Sequence, residues 1–221
     1  MNYTNYYIEN FYRAISVNKN LAIEKKMLRK PDKMYTKKKQ DELPSELAAY
    51  YSGNGELLLN WNHPKREEVM GSLNIVRLPH LFDETVLQIQ PELVVVNEDL
   101  NFYEKVQLQG VFRKVDLFAS EACMGFFSDE QMGKELYYCT RHYFYLLNLN
   151  FEHYFKLMCE AKGFTYWQLA IIFFEYGYGK VESDWFREQM PKLFPTFSFD
   201  AFIALYQKFK QEYLSAKEKN E

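Results

Sequence analysis

Apolar residues in this chain recur at two different intervals, and the changes between them mark out its elements. Ile8, Phe11, Tyr12 and Ile15 repeat every three or four residues, which predicts a helix capped by Thr4. Residues 19–40 interrupt that pattern with positive charge and Pro31, and read as a solvated basic loop. Leu47 with Tyr50 or Tyr51 gives the apolar side of a short helix. It opens at Leu43 and Pro44, because the missing proline N–H has no partner in a first turn. Ser52, Gly53, Asn54 and Gly55 stop it, since Gly and Asn accept positive φ. A strand is predicted over 56–61, then a charged loop, then a strand over 69–78 with Gly71 near its start. Residues 78–83 read as a strand exit into a loop.

Short β-branched runs at 85–89 and 93–96, separated by Pro91, predict two strands or one broken edge strand. Asn97, Glu98 and Asp99 mark a turn. Residues 106–118 read as a strand or an insertion, and 136–139 with 143–147 as two strands or one long bent strand. Phe151, Tyr154, Phe155 and Met158 share one side of a helix that Asn150 caps and Gly163 closes. Thr165, Tyr166, Trp167 and Gln168 have the form of a capping box. The run from there to Tyr176 is apolar nearly all round, which predicts a buried helix ended by Gly177. Ser183 opens a short segment bracketed by Pro191 and Pro195. Ser198 then caps a last helix with Phe199, Phe202, Tyr206, Phe209 and Tyr213 on its inner side.

The central stretch, residues 43–78, combines a Leu-Pro opening and a helix ending in Asn54 and Gly55 with two strands. The first strand reaches Trp61, and Gly71 opens the second, which alternates apolar residues. This series resembles the SUKH superfamily, which includes the yeast cell-wall-assembly regulator and many bacterial immunity proteins. Residues 133–163, a strand pair running into a helix that begins Asn150, Phe151, Glu152, are similar to the later half of that family. The likeness covers residues 40–163 as an ordered series of loose motifs. It implies binding rather than catalysis, offers no catalytic residue to carry over, and leaves the partner open.

Hydrophobic residues make up 48% of the chain and aromatics 18%, enough for a packed core and against disorder. The net charge of −3 conceals an asymmetry. Residues 1–40 hold ten Lys/Arg against three Asp/Glu, whereas residues 41–221 hold 17 against 27. An acidic body repels nucleic acid and favours a basic partner. The run Lys37, Lys38 and Lys39 has no interleaved aromatics and reads as solvated rather than phosphate-binding. Three cysteines, Cys123, Cys139 and Cys159, form no CxxC pair, which fits a reducing compartment. The first residues lack a basic start followed by an apolar core, and the apolar run 169–174 is too short to span a bilayer. A soluble, cytoplasmic protein with no membrane partner is expected.

Candidate chemistry is sparse. Cys139 and His142 are an odd number of residues apart and point to opposite faces of a strand, so no metal site is expected there. Cys123 and Cys159, with His80, His142 or His153 as bases, lack a nucleophile-elbow neighbourhood. Glu121 with Asp129 is an unsupported carboxylate pair. Ser52 to Gly55 lacks the Lys-Ser/Thr of a phosphate loop. No catalytic residue and no cofactor are expected.

The expected fold is α+β: a twisted, mainly antiparallel sheet flanked by helices, with a C-terminal helical extension. Its expected organisation is a SUKH-like domain over 1–163 and an extension over 164–221 packed on that domain. The expected function is that of a non-catalytic protein-binding module, most specifically an immunity protein that neutralises a basic bacterial toxin domain such as a nuclease. Its partner-binding residues are expected on acidic loops and at an anchoring indole: Trp61, Glu67, Glu68, Glu98, Asp99, Asp129 and Glu130. The alternative is a small-molecule-binding or regulatory module with a pocket between the sheet and the C-terminal helices. A hydrolase using Glu121 ranks last.

Overall fold

The computed structural model describes residues 3–31, 42–82, 93–96, 104–106, 112–128, 134–140 and 143–219. Among these the chain forms α1 (Tyr3–Ser16), β1 (Ala22–Leu28), α2 (Ser45–Gly53), β2 (Leu57–His63), β3 (Arg66–Ile75) and the short α3 (Leu78–Leu81). Strands β4 (Leu93–Val96), β5 (Glu104–Val106), β6 (Phe112–Asp116), β7 (Ala122–Phe127), β8 (Tyr137–Thr140) and β9 (Tyr143–Leu146) follow. Helices α4 (Phe151–Glu160), α5 (Gln168–Tyr176), α6 (Lys180–Leu193) and α7 (Phe199–Glu218) complete it. The fold is α+β. The strand order is β1-β2-β3-β6-β7-β8-β9-β4-β5. Strand pairs β3–β6, β6–β7, β7–β8, β8–β9 and β4–β5 are antiparallel, and β4–β9 is parallel.

The chain divides into two compact units, each assembled from segments distant in sequence. One comprises Met1–Lys26, Leu59–Leu73 and Glu152–Glu221; the other comprises Met27–Leu58 and Asn74–Phe151. The C-terminal helices α5–α7 share their unit with most of α4 and with the Leu59–Leu73 part of the hairpin β2–β3.

In that first unit Ile8, Phe11 and Ile15 are the buried side of α1, as their spacing predicts. Asn18, just past the end of α1, donates its side-chain amide to Leu193 O at 2.7 Å. The core is largely aromatic. Phe186 lies edge-on to Phe197, Phe199 and Phe202, and Trp167 packs between Tyr154 and Phe202. Such pairs add about 0.5–1.5 kcal/mol each beyond the area they bury.

In the second unit every residue of β7 is buried. Cys123 and Phe127 enter a cluster with Phe112, Tyr137, Cys139 and Phe144. From the opposite side of β8, Tyr138 stacks on Phe118 at 5.9 Å. A strand buried on both sides has no polar alternation to display, which is why its sequence signal is weak. Asn74 ties β3 to β6: its N–H donates to Asp116 Oδ1 at 3.3 Å and its amide to Leu117 O at 2.8 Å.

Several elements differ from expectation. The basic loop contains a strand, β1, whose Lys25 and Lys26 are exposed. Backbone pairing with β2 makes it, and just past its end Arg29 N–H donates to Glu56 O and Gly55 N–H to Arg29 O. It lies at one end of the strand order, where lysines discourage further pairing. The turn after α2 uses no positive φ at Gly53 or Gly55. Gly55 is needed instead because a Cβ there would fall 2.3 Å from Lys30 O. Strand β3 ends at Ile75, and residues 78–81 are helical, with Pro79 in a first turn that has no use for its N–H.

The C-terminal third also departs in three places. Thr165–Gln168 is not a capping box, since α5 begins only at Gln168. Gln168 is buried and donates to Tyr154 Oη at 2.8 Å, and Thr165 Oγ1 donates to Met70 O. Helix α5 is buried over its first five residues but leaves Phe174 exposed. Pro191 lies inside α6 near its end, where the carbonyl it leaves unbonded belongs to exposed Arg187. Gly177 ends α5 in the left-handed region and Ser198 Oγ accepts from Ala201 N–H at 3.3 Å, both as expected. Runs 85–89 and the turn at 97–99 lie outside the described residues.

Tyr51 supplies a pH-dependent brace in the second unit. Its hydroxyl donates to Val76 O at 2.7 Å. Burial, and secondarily the neighbouring Tyr50 phenol, raises its pKa well above the ordinary tyrosine range. The folded state therefore holds a proton that the unfolded chain releases from about pH 10. Stability from this group is complete below that pH and declines above it. Tyr51→Phe is expected to cost about 1–3 kcal/mol at pH 7 by leaving Val76 O unpaired, and to flatten the decline above pH 10 in urea titrations.

Candidate partner-binding face

The hairpin β2–β3, joined by Pro64 and Lys65, carries the candidate site in its Leu59–Leu73 part. Side chains of successive strand residues point to opposite faces. Leu59, Trp61, Val69, Gly71 and Leu73 are buried, whereas Asn60, Asn62, Met70 and Ser72 are exposed or half-buried. Trp61 seats the hairpin. A Cβ at residue 71 would fall 2.4 Å from its indole, so only glycine lets the ring lie on β3. The indole Nε1 donates to Lys162 O at 2.8 Å, and the ring meets Phe164 and Phe194.

The segment after α4 completes this lock. Lys162 and Gly163 both have positive φ, which turns the chain back along β3. Ser72 N–H donates to Gly163 O and Thr165 N–H to Met70 O, with a bridge between Gly71 and Phe164.

On the outward side, Asn62 donates to Glu24 Oε1 at 2.5 Å and Ser72 Oγ to Asn60 Oδ1 at 3.0 Å. Met70, 44% exposed, is the apolar centre of this side. At the tip Arg66 donates to buried Gln189 Oε1 at 2.8 Å and pairs with Glu68 at 3.2 Å. Its guanidinium lies 5.7 Å from the Trp185 ring centroid. Glu68 is held below the ordinary carboxylate range by its own backbone N–H first and by Arg66. Glu188 on α6 is lowered by its hydrogen bond to Lys192, with Arg66 contributing. These carboxylates stay ionised into mildly acidic conditions.

The site residues expected from sequence therefore separate. Trp61 is corrected: at 1% exposure, with its donor taken, it anchors the hairpin and offers no indole to a partner. Glu67 and Glu68 are exposed, yet they belong to β3 rather than a loop. Glu68 shares the side of Arg66 and Met70, and Glu67 falls on the other side of the pleat. Glu98, Asp99, Asp129 and Glu130 lie outside the described residues. Sequence reasoning missed Glu24, Asn60, Asn62, Met70 and Ser72. The polar outward positions around Trp61 and Gly71 were the available signal.

A separate concavity lies in the second unit. Arg29, Lys30, Pro31, Gly55, Glu56, Arg77 and Leu78 line a hollow of about 380 Å³, where Arg29 pairs with Glu56 at 2.8 Å. With three cationic side chains and one carboxylate it suits a small anion. It is not the sheet-to-helix pocket expected from sequence.

Among the described residues no three His, Cys, Asp or Glu side chains converge as metal ligands. His142 and Asp129 lie outside the described residues, and Glu121 is exposed and accepts from Ser120 Oγ. His153 stacks on Phe209 and meets Glu212 at 3.3 Å. No helix among the described residues is long and apolar enough to cross a membrane. Compared with family models, curated proteins and solved structures, the chain matches none of them.

Proposed function

We propose that this protein is a non-catalytic binding module of the SUKH type, an immunity protein that captures and blocks a basic bacterial toxin domain in the cytoplasm. The observation that carries this reading is the outward side of β2–β3. There Glu24, bonded to Asn62, and Glu68 lie on the same side as exposed Met70, on a hairpin that Trp61 and Gly71 anchor. Rigid presentation lowers the ordering cost of binding, and the acidic balance of residues 41–221 steers a basic partner toward it. The ordered series of α2, the Gly55 turn, β2 to Trp61 and β3 with Gly71 supports the SUKH resemblance as an arrangement of elements.

The test is co-purification with the product of the gene immediately upstream, read with a growth-protection assay. A one-to-one complex with a basic protein that is lethal without this chain is expected. No complex and no protection would refute the immunity reading. Reversing Glu24 and Glu68 to Lys is expected to weaken capture at least about tenfold at low salt and to flatten its salt dependence, whereas Glu67→Lys, on the other side of the pleat, should change it less. Unchanged affinity would move the interface elsewhere. A second reading, a module that binds a small anionic ligand, is favoured by the hollow around Arg29 and Arg77. A rise in melting temperature on adding nucleotides or phosphorylated metabolites would support it.

A further inference from the structure

Cys123 and Cys139 are distant in sequence, and the sheet makes them neighbours. They are direct register partners on antiparallel β7 and β8, with Ala122 opposite Thr140 and Met124 opposite Tyr138 on either side. Directly opposed residues of such strands have Cα atoms about 4.5 or 5.5 Å apart, and a disulfide requires about 4.4–6.8 Å. Both side chains enter the same cluster beside Phe112, Phe127, Tyr137 and Phe144. Both are free thiols within hydrogen-bonding reach of each other. We propose that Cys123 and Cys139 form a redox-active dithiol that a hydroperoxide converts to a cross-strand disulfide, linking β7 to β8.

The two thiols hydrogen-bond to each other, which lowers the Cys139 thiol from its ordinary value and, with burial, raises that of Cys123. The charge of Lys114, on neighbouring β6, favours both thiolates, while buried Asp116 opposes ionisation of Cys123. The Cys139 thiolate attacks one peroxide oxygen and breaks the O–O bond, giving a sulfenic acid and hydroxide. The Cys123 sulfur then attacks the sulfenic sulfur. The S–S bond forms as hydroxide leaves, and the two hydroxides take up the two thiol protons as water. Two thiols and one hydrogen peroxide thus become one disulfide and two waters. At 5% and 6% exposure the thiols admit only a small oxidant. An added dithiol reverses the change by exchange. Cys159 on α4 is also buried, and burial pushes its thiol up, so it is expected to stay reduced.

The experiment treats the native chain with graded hydrogen peroxide, blocks remaining thiols in denaturant, and maps the peptides by mass. Free thiols are expected to fall from three to one, with loss of two hydrogens and a linked pair of peptides containing Cys123 and Cys139. Dithiothreitol is expected to restore all three. Retention of three thiols, a sulfinic acid without a cross-link, or a link that includes Cys159 would overturn the proposal. Cys139→Ser is expected to abolish the link and to leave Cys123 and Cys159 both reduced.

Discussion

Trp61→Ala is expected to lower stability by about 3–5 kcal/mol, the range for removing a large buried aromatic, read as a shift in urea midpoint. The indole packs against Phe164 and Phe194 and fills the space that Gly71 leaves open. Its removal also leaves Lys162 O without its 2.8 Å donor in a crowded site. Trp61→Phe separates the contributions. It keeps a ring and loses the donor, for about 1–3 kcal/mol. Gly71→Ala is expected to cost about 1–3 kcal/mol on its own, because the added Cβ meets the indole at 2.4 Å. In the Trp61→Ala background that cost should largely vanish, and the double-mutant cycle measures the coupling. Additive costs would mean that the ring and the glycine do not interlock. Loss of the interlock also frees the hairpin that carries Glu68 and Met70, so Trp61→Ala should weaken partner capture without touching the face.

Gly125→Ala is expected to cost about 3 kcal/mol or more, at the upper end of overpacking effects, and to lose amide-exchange protection across β6 and β7. A Cβ at residue 125 would fall 2.2 Å from Arg113 O and 2.8 Å from Phe112 Cζ. A flexible side-chain end can swing away, but a paired backbone carbonyl cannot. Gly125 faces Lys114 in register, beside the irregularity between Lys114 and Asp116, so the strands must separate there. Phe112→Leu relieves only the ring contact and should not rescue the variant. Gly177→Ala is the contrast. Nothing lies within 4 Å of its Cβ position, and it costs only the left-handed conformation, about 1–2 kcal/mol. Equal costs at the two sites would rule out the backbone clash as the cause.

The periodic elements were legible in the residues themselves. Helix α2, α4 and α7 follow apolar repeats with their stops or caps at Gly163 and Ser198, because a helix stripe and a cap are local properties of the chain. The α+β class followed from the same patterns. What depends on distant neighbours was not legible. Strand β1 forms by backbone pairing with no apolar alternation of its own, and β7 hides its alternation by being buried on both sides. Thr165 and Gln168 have the composition of a cap, yet Met70 O and Tyr154 Oη claim their side chains.

The candidate face shows the same division. Sequence alone determined that Glu67 and Glu68 are solvent-facing charges, since a carboxylate is seldom buried without a partner. It put Trp61 among the partner-binding residues, although an indole suits a core as well. Only the tertiary structure settled that, by placing Lys162 O in front of its N–H and Gly71 beneath its ring. The register of β7 on β8 likewise set Cys123 against Cys139, a pairing that no spacing along the chain encodes. Local periodicity follows from covalent geometry within a few residues, whereas contacts between distant residues are decided when the whole chain competes for the same space.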